Sequence, residues 1–134
     1  MGSLQARPAQ HAGGPLTSGR LYERIGGGYT RHRRADPRIA DQINRAISDA
    51  ASVVNVGAGT GSYEPAGRRV IGAEPSAVML DQRGEPSAPA VRAVGESLPF
   101  AGHAFDVALA VLTIHHWSDP PSGLRELQRV APRQ

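Results

Sequence analysis

Residues 52–74, SVVNVGAGTGSYEPAGRRVIGAE, decide the fold of this chain. The first five residues, 52–56, form a short, apolar, β-branched run, which predicts a strand buried on both faces of a parallel sheet. Residues 57–61 follow as a turn with glycine at alternate positions, where the backbone can approach a ligand and adopt angles that other residues avoid. Residues 69–73 predict a second buried strand, and Glu74 lies at its carboxyl end. A carboxylate there can accept hydrogen bonds from a ribose diol, so the stretch predicts half of a nucleotide-type pocket.

Helices and strands alternate along the rest of the chain. Asp36 and Pro37 are typical of a helix start, and isoleucines at four-residue spacing give that helix one apolar stripe. The further predicted elements are a short helix after Ser76, a strand at 90–94, a strand at 105–111 and a helix that starts after Asp119. Crossovers of about ten or more residues imply parallel strands and right-handed connections. The sequence therefore predicts a Rossmann-like α/β sheet of strand order 3-2-1-4, with a ligand pocket at the switch point beside the glycine turn.

Composition limits the classes of function. The chain has 134 residues, the size of one domain, and no cysteine, so it can form neither a disulfide nor a thiolate metal site. The net charge is only +3 and no concentrated basic face is evident, which makes nucleic acid an unfavoured partner. Residues 1–19 lack the apolar core of a signal peptide and are predicted to be a disordered leader before a domain at 20–134. No stretch has the length of a membrane span, so we expect a cytoplasmic protein.

Five sequence blocks give the chain a specific family resemblance. They are VVNVGAGTG at 53–61, VIGAE at 70–74, GESLPF at 95–100, FDV at 105–107 and HHWSDP at 115–120. In this order they resemble class I S-adenosylmethionine-dependent methyltransferases, of the small-molecule group similar to the ubiquinone-biosynthesis enzymes. The resemblance implies S-adenosylmethionine as cofactor and methyl transfer to a small-molecule acceptor, without identifying that acceptor.

The resemblance also implies which residues contact the cofactor. Residues of the glycine turn would pass beneath its amino-acid and ribose portions, and these are Gly57, Ala58, Gly59, Thr60 and Gly61. Glu74, followed by Pro75, would hold the two ribose hydroxyls. From the N-terminal side, Tyr29 and Arg33 would cap the cofactor.

A second group of implied contacts lies at the ends of the third and fourth strands. Gly95 and Glu96 would meet the adenine edge, and Ala110 and Val111 would line the pocket floor. The family often has an acid or amide two residues before Glu96, where this chain has Val94. Adenine recognition would then depend on backbone groups or on Glu96 itself.

His115 is the candidate catalytic residue. Methyl transfer needs a general base only if the acceptor must lose a proton, and a histidine titrates near neutrality. Neighbours on an extended segment point in opposite directions, so at most one of His115 and His116 would face the pocket. The alternative is that both histidines only shape the loop. The pair makes a poor metal site because no third ligand is apparent.

Two departures from the family pattern concern the length of the chain. Only eight residues separate Gly61 from Val70, so the helix after the glycine turn should be very short. The family continues into three more strands, whereas this sequence reads APRQ at 131–134. We therefore expect the strand at 105–111 to be an apolar edge strand with unpaired backbone groups, which favours a homodimer through that edge or poor folding.

Two other functions agree with part of the pattern. A nicotinamide-dinucleotide enzyme shares the strand, turn, strand and acid, but its glycine pattern requires glycine where Ser62 stands, and it gives no role to the block at 98–100. A non-catalytic remnant or cofactor-binding module agrees with the short chain. For two remaining residues we expect structural roles: Asp106 orients the turn into the fourth strand, and Trp117 packs a helix onto the sheet or stacks on an acceptor.

Overall fold

The computed structural model describes residues 35–84 and 87–134. The predictions for residues 1–19, Tyr29 and Arg33 fall outside these ranges. The described helices are α1 at Pro37–Ala46, α2 at Ala77–Asp81 and α3 at Pro120–Val130. The described strands are β1 at Ser52–Val56, β2 at Arg69–Glu74, β3 at Ala90–Arg92 and β4 at Val107–Leu109. A single turn of 3-10 helix, Ile114–His116, lies between β4 and α3.

The four strands form one parallel sheet. Their order is β3-β2-β1-β4, which confirms the order predicted from the sequence. In the register of this sheet, Val53 of β1 lies beside Val70 of β2 and Val107 of β4. Because all strands run in the same direction, their carboxyl ends lie along one edge, and the glycine turn after β1 lies at the centre of that edge.

Each helix begins at a residue that caps it. The Asp36 side chain accepts a hydrogen bond from the Arg38 amide, and a proline follows at the start of α1. Ser76 caps α2 in the same way, and Asp119 caps α3. These side chains satisfy amide groups that have no partner within the helix. The three helix starts predicted from the sequence are confirmed.

The core has one cluster on each face of the sheet. Val53 packs with Ile47 and Val70 on one face, against which Ile43 of α1 also packs. Val54 and Val56 point to the opposite face and pack with apolar side chains of α3. Successive side chains of a strand alternate between faces, so β1, buried along its whole length, contributes to both clusters.

Two strands are shorter than their apolar runs predicted. Strand β3 ends at Arg92, because the chain turns back so that Val94 and Ser97 form an antiparallel bridge. Strand β4 starts after Phe105, whose amide donates to the Val130 carbonyl at the end of α3 rather than to the sheet. It ends before Leu112, where the backbone takes a left-handed conformation with φ of 54°.

The outer edge of β4 is partly covered. The Ala108 amide donates a 2.9 Å hydrogen bond to the Arg133 carbonyl, and Val107 pairs with Arg133 as a parallel bridge. The expectation of a wholly unpaired edge is therefore wrong at this position, because α3 returns the chain to the edge of the sheet. Association through the rest of that edge stays a prediction.

The connection from β1 to β2, residues 57–68, consists of turns without a helix. The very short helix expected there is wrong, since the segment closes through tight turns at Gly61 and Gly67 instead. In a parallel sheet a crossover helix usually covers this position.

None of the helices in the described ranges has the length and apolar character that crossing a membrane requires.

Candidate functional site

The glycine turn has a backbone that only glycine adopts without strain. Gly57, Gly59 and Gly61 have φ angles of 73°, 55° and 96°, in the region that L-residues rarely occupy. The amides of Gly57 and Ala58 both donate to the Ala73 carbonyl, at 2.8 and 3.1 Å. The turn is therefore fixed to β2 at its start, and its positive φ angles are the ones that the alternating glycines predicted.

Thr113 lies against the glycine turn at the switch point between β1 and β4. A Cβ atom on Gly57 would fall 2.0 Å from the Thr113 Oγ1, far closer than nonbonded atoms approach. Thr113 is itself buried. Its role was missed from the sequence because no local pattern places a residue after β4 against one after β1.

Glu74 is a buried carboxylate that faces the glycine turn. It is 3% exposed, its Oε1 accepts a hydrogen bond from the Gly59 amide at 2.9 Å, and its Oε2 accepts one from the Ser76 amide at 2.7 Å. Burial raises the pKa of Glu74, whereas the two amides and the nearby Arg83 charge oppose that rise. A carboxylate offers about four lone-pair sites, so it can accept further hydrogen bonds from a ligand.

Two adjoining clefts meet at Glu74. The first runs along the glycine turn, and the predicted residues that line it are Gly57, Ala58, Gly59, Thr60, Glu74 and Val111. The second lies beyond β2 and β3, and the predicted residues that line it are Gly57, Glu74, Pro75, Gly95 and Glu96. The structure thus brings most of the predicted contacts together around one carboxylate. Among the others, Gly61 lies beside the Glu64 carboxylate and Ala110 packs against the core under α3.

Several lining residues of the first cleft were missed from the sequence. They are Asn55, Ser62, Tyr63, Met79, Leu112 and Thr113. Asn55 had a usable signal, because it is the one amide in the otherwise apolar end of β1. Tyr63 accepts a 2.9 Å hydrogen bond from the Asp36 amide and so joins the segment just after the glycine turn to the start of α1. That contact spans 27 residues and has no sequence signature.

The two histidines lie on the 3-10 turn, with ring centroids 3.8 Å apart. The assumption that they lie on an extended segment with opposed side chains is wrong, because the turn brings their rings together. His116 lines the second cleft, whereas His115 is exposed. The geometry therefore favours His116 over His115 as the ring that a ligand in the second cleft would meet.

Trp117 fills the space between the second cleft and α3. A Cβ atom on Gly95 would fall 2.7 Å from the indole, and one on Gly123 would fall 2.2 Å from it. Both glycines therefore leave room for the ring. The expectation that Trp117 packs a helix onto the sheet is confirmed.

Two further carboxylates have distinct environments. Burial raises the pKa of Glu96, and the negative charge of Asp119 adds to that rise. Asp106 accepts hydrogen bonds from the amides of Ala51 and Ser52 at 2.9 and 3.1 Å, and these bonds lower its pKa. The predicted structural role of Asp106 is confirmed.

Within residues 35–84 and 87–134, no group of three or more potential metal ligands comes together.

A family model and two solved structures relate this chain to methyltransferases. A family model described as a methyltransferase domain matches residues 54–133. The uncharacterised protein YafE of Escherichia coli K12 is 49% identical over 35 residues, which cover 26% of this chain and 17% of YafE. A protein assigned as a methyltransferase of an antibiotic biosynthesis pathway in Anabaena variabilis is 30% identical, with a TM-score of 0.68, over 74% of this chain and 43% of its own.

A second solved structure extends the match. A S-adenosylmethionine-dependent methyltransferase of Thermotoga maritima is 28% identical, with a TM-score of 0.72, over 83% of this chain and 55% of its own. The chain thus spans about half the length of the two solved structures that it resembles. The family model covers more than half of the chain and includes the glycine turn, Glu74 and the histidine pair. The chain belongs to the class I S-adenosylmethionine-dependent methyltransferase family.

Proposed function

We propose that this chain binds S-adenosylmethionine at the carboxyl edge of its sheet and directs its methyl group to a small-molecule acceptor. The observation that carries the proposal is the position of Glu74, 3% exposed and hydrogen-bonded to the Gly59 amide within the glycine turn. Two backbone amides orient the carboxylate, and its remaining lone pairs can accept hydrogen bonds from the two hydroxyls of a ribose.

The two clefts on either side of Glu74 fit the two ends of an adenosyl amino acid. The first, along Gly57–Gly61, would hold the amino-acid portion, and the second, beside Gly95 and Glu96, would hold the adenine ring. Val94 is 45% exposed and offers no polar side chain there. Adenine selection would therefore depend on the backbone around Gly95 and on the Glu96 carboxylate.

The cofactor, when bound, would supply a methyl group on a sulfonium: the acceptor would attack the methyl carbon in line with the carbon–sulfur bond, and the neutral thioether would leave. The contribution of the chain is then to hold the reacting atoms in position and to exclude water, which accounts for much of the acceleration of such a step. An acceptor that must lose a proton would need a base within hydrogen-bond reach. We assign that role to the histidine pair, with His116 at the cleft and His115, the residue predicted from the sequence, beside it.

The absence of a helix between β1 and β2 argues against a dinucleotide. In dinucleotide-binding folds the pyrophosphate sits at the N-terminus of that helix, where free amides and the helix dipole favour negative charge. Residues 57–68 contain only turns. A ligand without phosphate groups fits this site better.

Isothermal titration calorimetry with S-adenosylmethionine, S-adenosylhomocysteine and NAD tests the proposal. We expect both sulfur compounds to bind and NAD not to bind. Glu74→Gln should weaken their binding about 10- to 100-fold, the cost of removing a hydrogen-bonded charge. Glu126→Gln is the matched control: this carboxylate also accepts from a backbone amide, that of Leu98, but lies away from the clefts.

Other outcomes would separate the alternatives. Binding of NAD alone would support a dinucleotide protein, and binding of none of the three would support a non-catalytic remnant. Equal affinity of the wild type and Glu74→Gln would contradict the ribose role of Glu74. A cofactor-binding module without catalysis would bind both sulfur compounds yet transfer no methyl group to any member of a panel of small oxygen, nitrogen and carbon acceptors.

A further inference from the structure

A buried ion pair lies beneath the glycine turn. Arg83, after α2, pairs through its Nη2 with the Oε1 of Glu64, which lies within the connection from β1 to β2. The two side chains are only 6% and 9% exposed. Charged side chains are seldom buried to this degree, because desolvation costs more than an ordinary ion pair returns. Further hydrogen bonds normally accompany such a pair.

Those hydrogen bonds connect three separate segments. The Arg83 guanidinium donates from Nη1 to the Gly59 carbonyl at 3.0 Å and from Nη2 to the Ala88 carbonyl at 2.7 Å. The Glu64 Oε2 accepts from the Ala88 amide at 2.8 Å. The pair therefore joins the glycine turn to the segment that leads into β3. Only the planar, multiple-donor guanidinium can make such contacts together.

Gly59 is held from both sides by charged groups. Its amide donates to the Glu74 Oε1 at 2.9 Å, and its carbonyl accepts from Arg83 at 3.0 Å. Gly72, in the middle of β2, makes room for this arrangement, since a Cβ atom there would lie 3.0 Å from that of Ala58 and 3.5 Å from the Arg83 Nη2. The carboxylate that would bind ribose and the guanidinium thus hold the backbone of the same residue, on its two flanking peptide groups.

We propose that Arg83, held by Glu64, is a positioning residue for adenosyl binding: it fixes Gly59 and the glycine turn in the conformation that presents Glu74 to a ribose. The inference rests on the proposed function. In this chain the ion pair does what a crossover helix would otherwise do, because residues 57–68 have no helix to fix the turn. The Arg83 charge also favours the ionised Glu74 against the effect of burial on its pKa.

The test compares S-adenosylhomocysteine affinity in the wild type, Arg83→Gln and Arg68→Gln across a pH series. Arg68→Gln is the matched control, because Arg68 is partly buried and also donates to backbone carbonyls, those of Ile47 and Ser48, at the opposite end of β2. Arg83→Gln should weaken binding about 10- to 100-fold, the loss expected for charge-assisted hydrogen bonds. Arg68→Gln should lower thermal stability without changing affinity.

The pH series separates positioning from a purely structural role. Without Arg83, the pH midpoint for loss of binding on acidification should move upward, because Glu74 loses its neighbouring positive charge. The other titratable groups at Glu74 and its clefts are Tyr63, Glu64, Glu96 and His116. Among them Glu64 loses its ion-pair partner in this variant, so the pH series is also run on Glu64→Gln and on Glu64→Gln/Arg83→Gln, in which that carboxylate cannot titrate. A structural role alone would lower the melting temperature and leave that midpoint in place.

Arg83→Lys keeps the inference testable if Arg83→Gln does not fold. A lysine retains the charge but cannot contact Gly59, Glu64 and Ala88 together, so affinity should fall while the pH midpoint stays near that of the wild type. Wild-type affinity and an unmoved midpoint in the Arg83 variants would overturn this inference alone. A wild-type chain that binds no S-adenosylhomocysteine would overturn the proposed function itself.

Discussion

Gly57 and Gly67 have the same backbone angle, φ of 73°, in different surroundings. An alanine at position 67 would meet nothing within 4 Å, whereas one at position 57 would fall 2.0 Å from the Thr113 Oγ1. We expect Gly67→Ala to lower the free energy of unfolding by about 1 kcal/mol, from backbone strain alone. Gly57→Ala should cost roughly 1–3 kcal/mol more, because it adds a steric clash. Urea unfolding measures both, and equal losses would contradict the contact with Thr113.

The raised pKa of Glu74 predicts opposite pH trends for binding and stability. Its folded pKa lies above the ordinary value of 4.5 because of burial. Protonation therefore favours the fold, and the contribution of Glu74 to stability declines as pH rises from the ordinary value through the folded pKa. Ligand affinity should instead rise over the same window, since the ionised carboxylate is the better acceptor.

Calorimetry and urea unfolding at a series of pH values check both trends. Glu74→Gln should remove most of the pH dependence of S-adenosylhomocysteine affinity in this window. An affinity in the wild type that is constant across the window would contradict the role of Glu74.

Individual residues differed in how far the sequence could predict them. The glycines at 57, 59 and 61 and the acid at 74 were predictable because backbone angle and chain spacing fix them locally. Thr113 and the Glu64–Arg83 pair were not, because their contacts join segments whose approach depends on the assembled fold. An arginine in a polar sequence is most often exposed, and only the packed structure reveals that the side chain of Arg83 is 6% exposed.

At the level of secondary structure, Asp106 joins the start of β4 to the start of β1. Its carboxylate accepts from the amides of Ala51 and Ser52, which lowers its pKa. A lowered pKa contributes stability that is present above the ordinary value of 3.8 and is lost as pH falls through the folded pKa. Asp106→Asn should therefore lower the melting temperature at neutral pH and reduce its fall in acid.

Thermal unfolding monitored by circular dichroism from about pH 7 down to about pH 2, well below the ordinary value for an aspartate, measures this effect. Asp41→Asn, on the exposed side of α1, is the control and should leave the melting temperature unchanged. An unchanged melting temperature in Asp106→Asn would contradict the link between the two strands.

The predicted elements were most accurate where the apolar pattern and the turn residues agreed. Strand β1 lies between a polar turn and a glycine turn, and its bounds match those predicted. Strands β3 and β4 are shorter than predicted, because an apolar run does not distinguish residues paired in a sheet from residues packed beside it. Phe105 illustrates this, since it is buried in the core but hydrogen-bonded to the end of α3.

At the scale of the whole molecule, Arg133 covers part of the outer edge of β4. Deleting residues 132–134 removes the Arg133 carbonyl that accepts from the Ala108 amide. We expect a lower melting temperature and association that increases with protein concentration, since the exposed edge can pair with another chain. Size-exclusion chromatography with light scattering measures the association.

Arg133→Ala is the control for this deletion. It removes the exposed ion pair with Asp49 but keeps the backbone carbonyl, and exposed pairs contribute little to stability. It should behave as the wild type. If the deletion variant and the full chain have the same oligomeric state at all protein concentrations, the exposed edge of β4 does not control association.

The single tryptophan of the chain is packed between Gly95 and Gly123, in the wall of the cleft that Glu96 and His116 also line. Its intrinsic fluorescence therefore comes from one known place and needs no label. Entry of an aromatic ring into that cleft should alter the emission directly, and melting of α3 away from the sheet should shift it toward longer wavelengths. Tryptophan fluorescence can thus report both ligand binding in this cleft and the packing of α3 against the sheet.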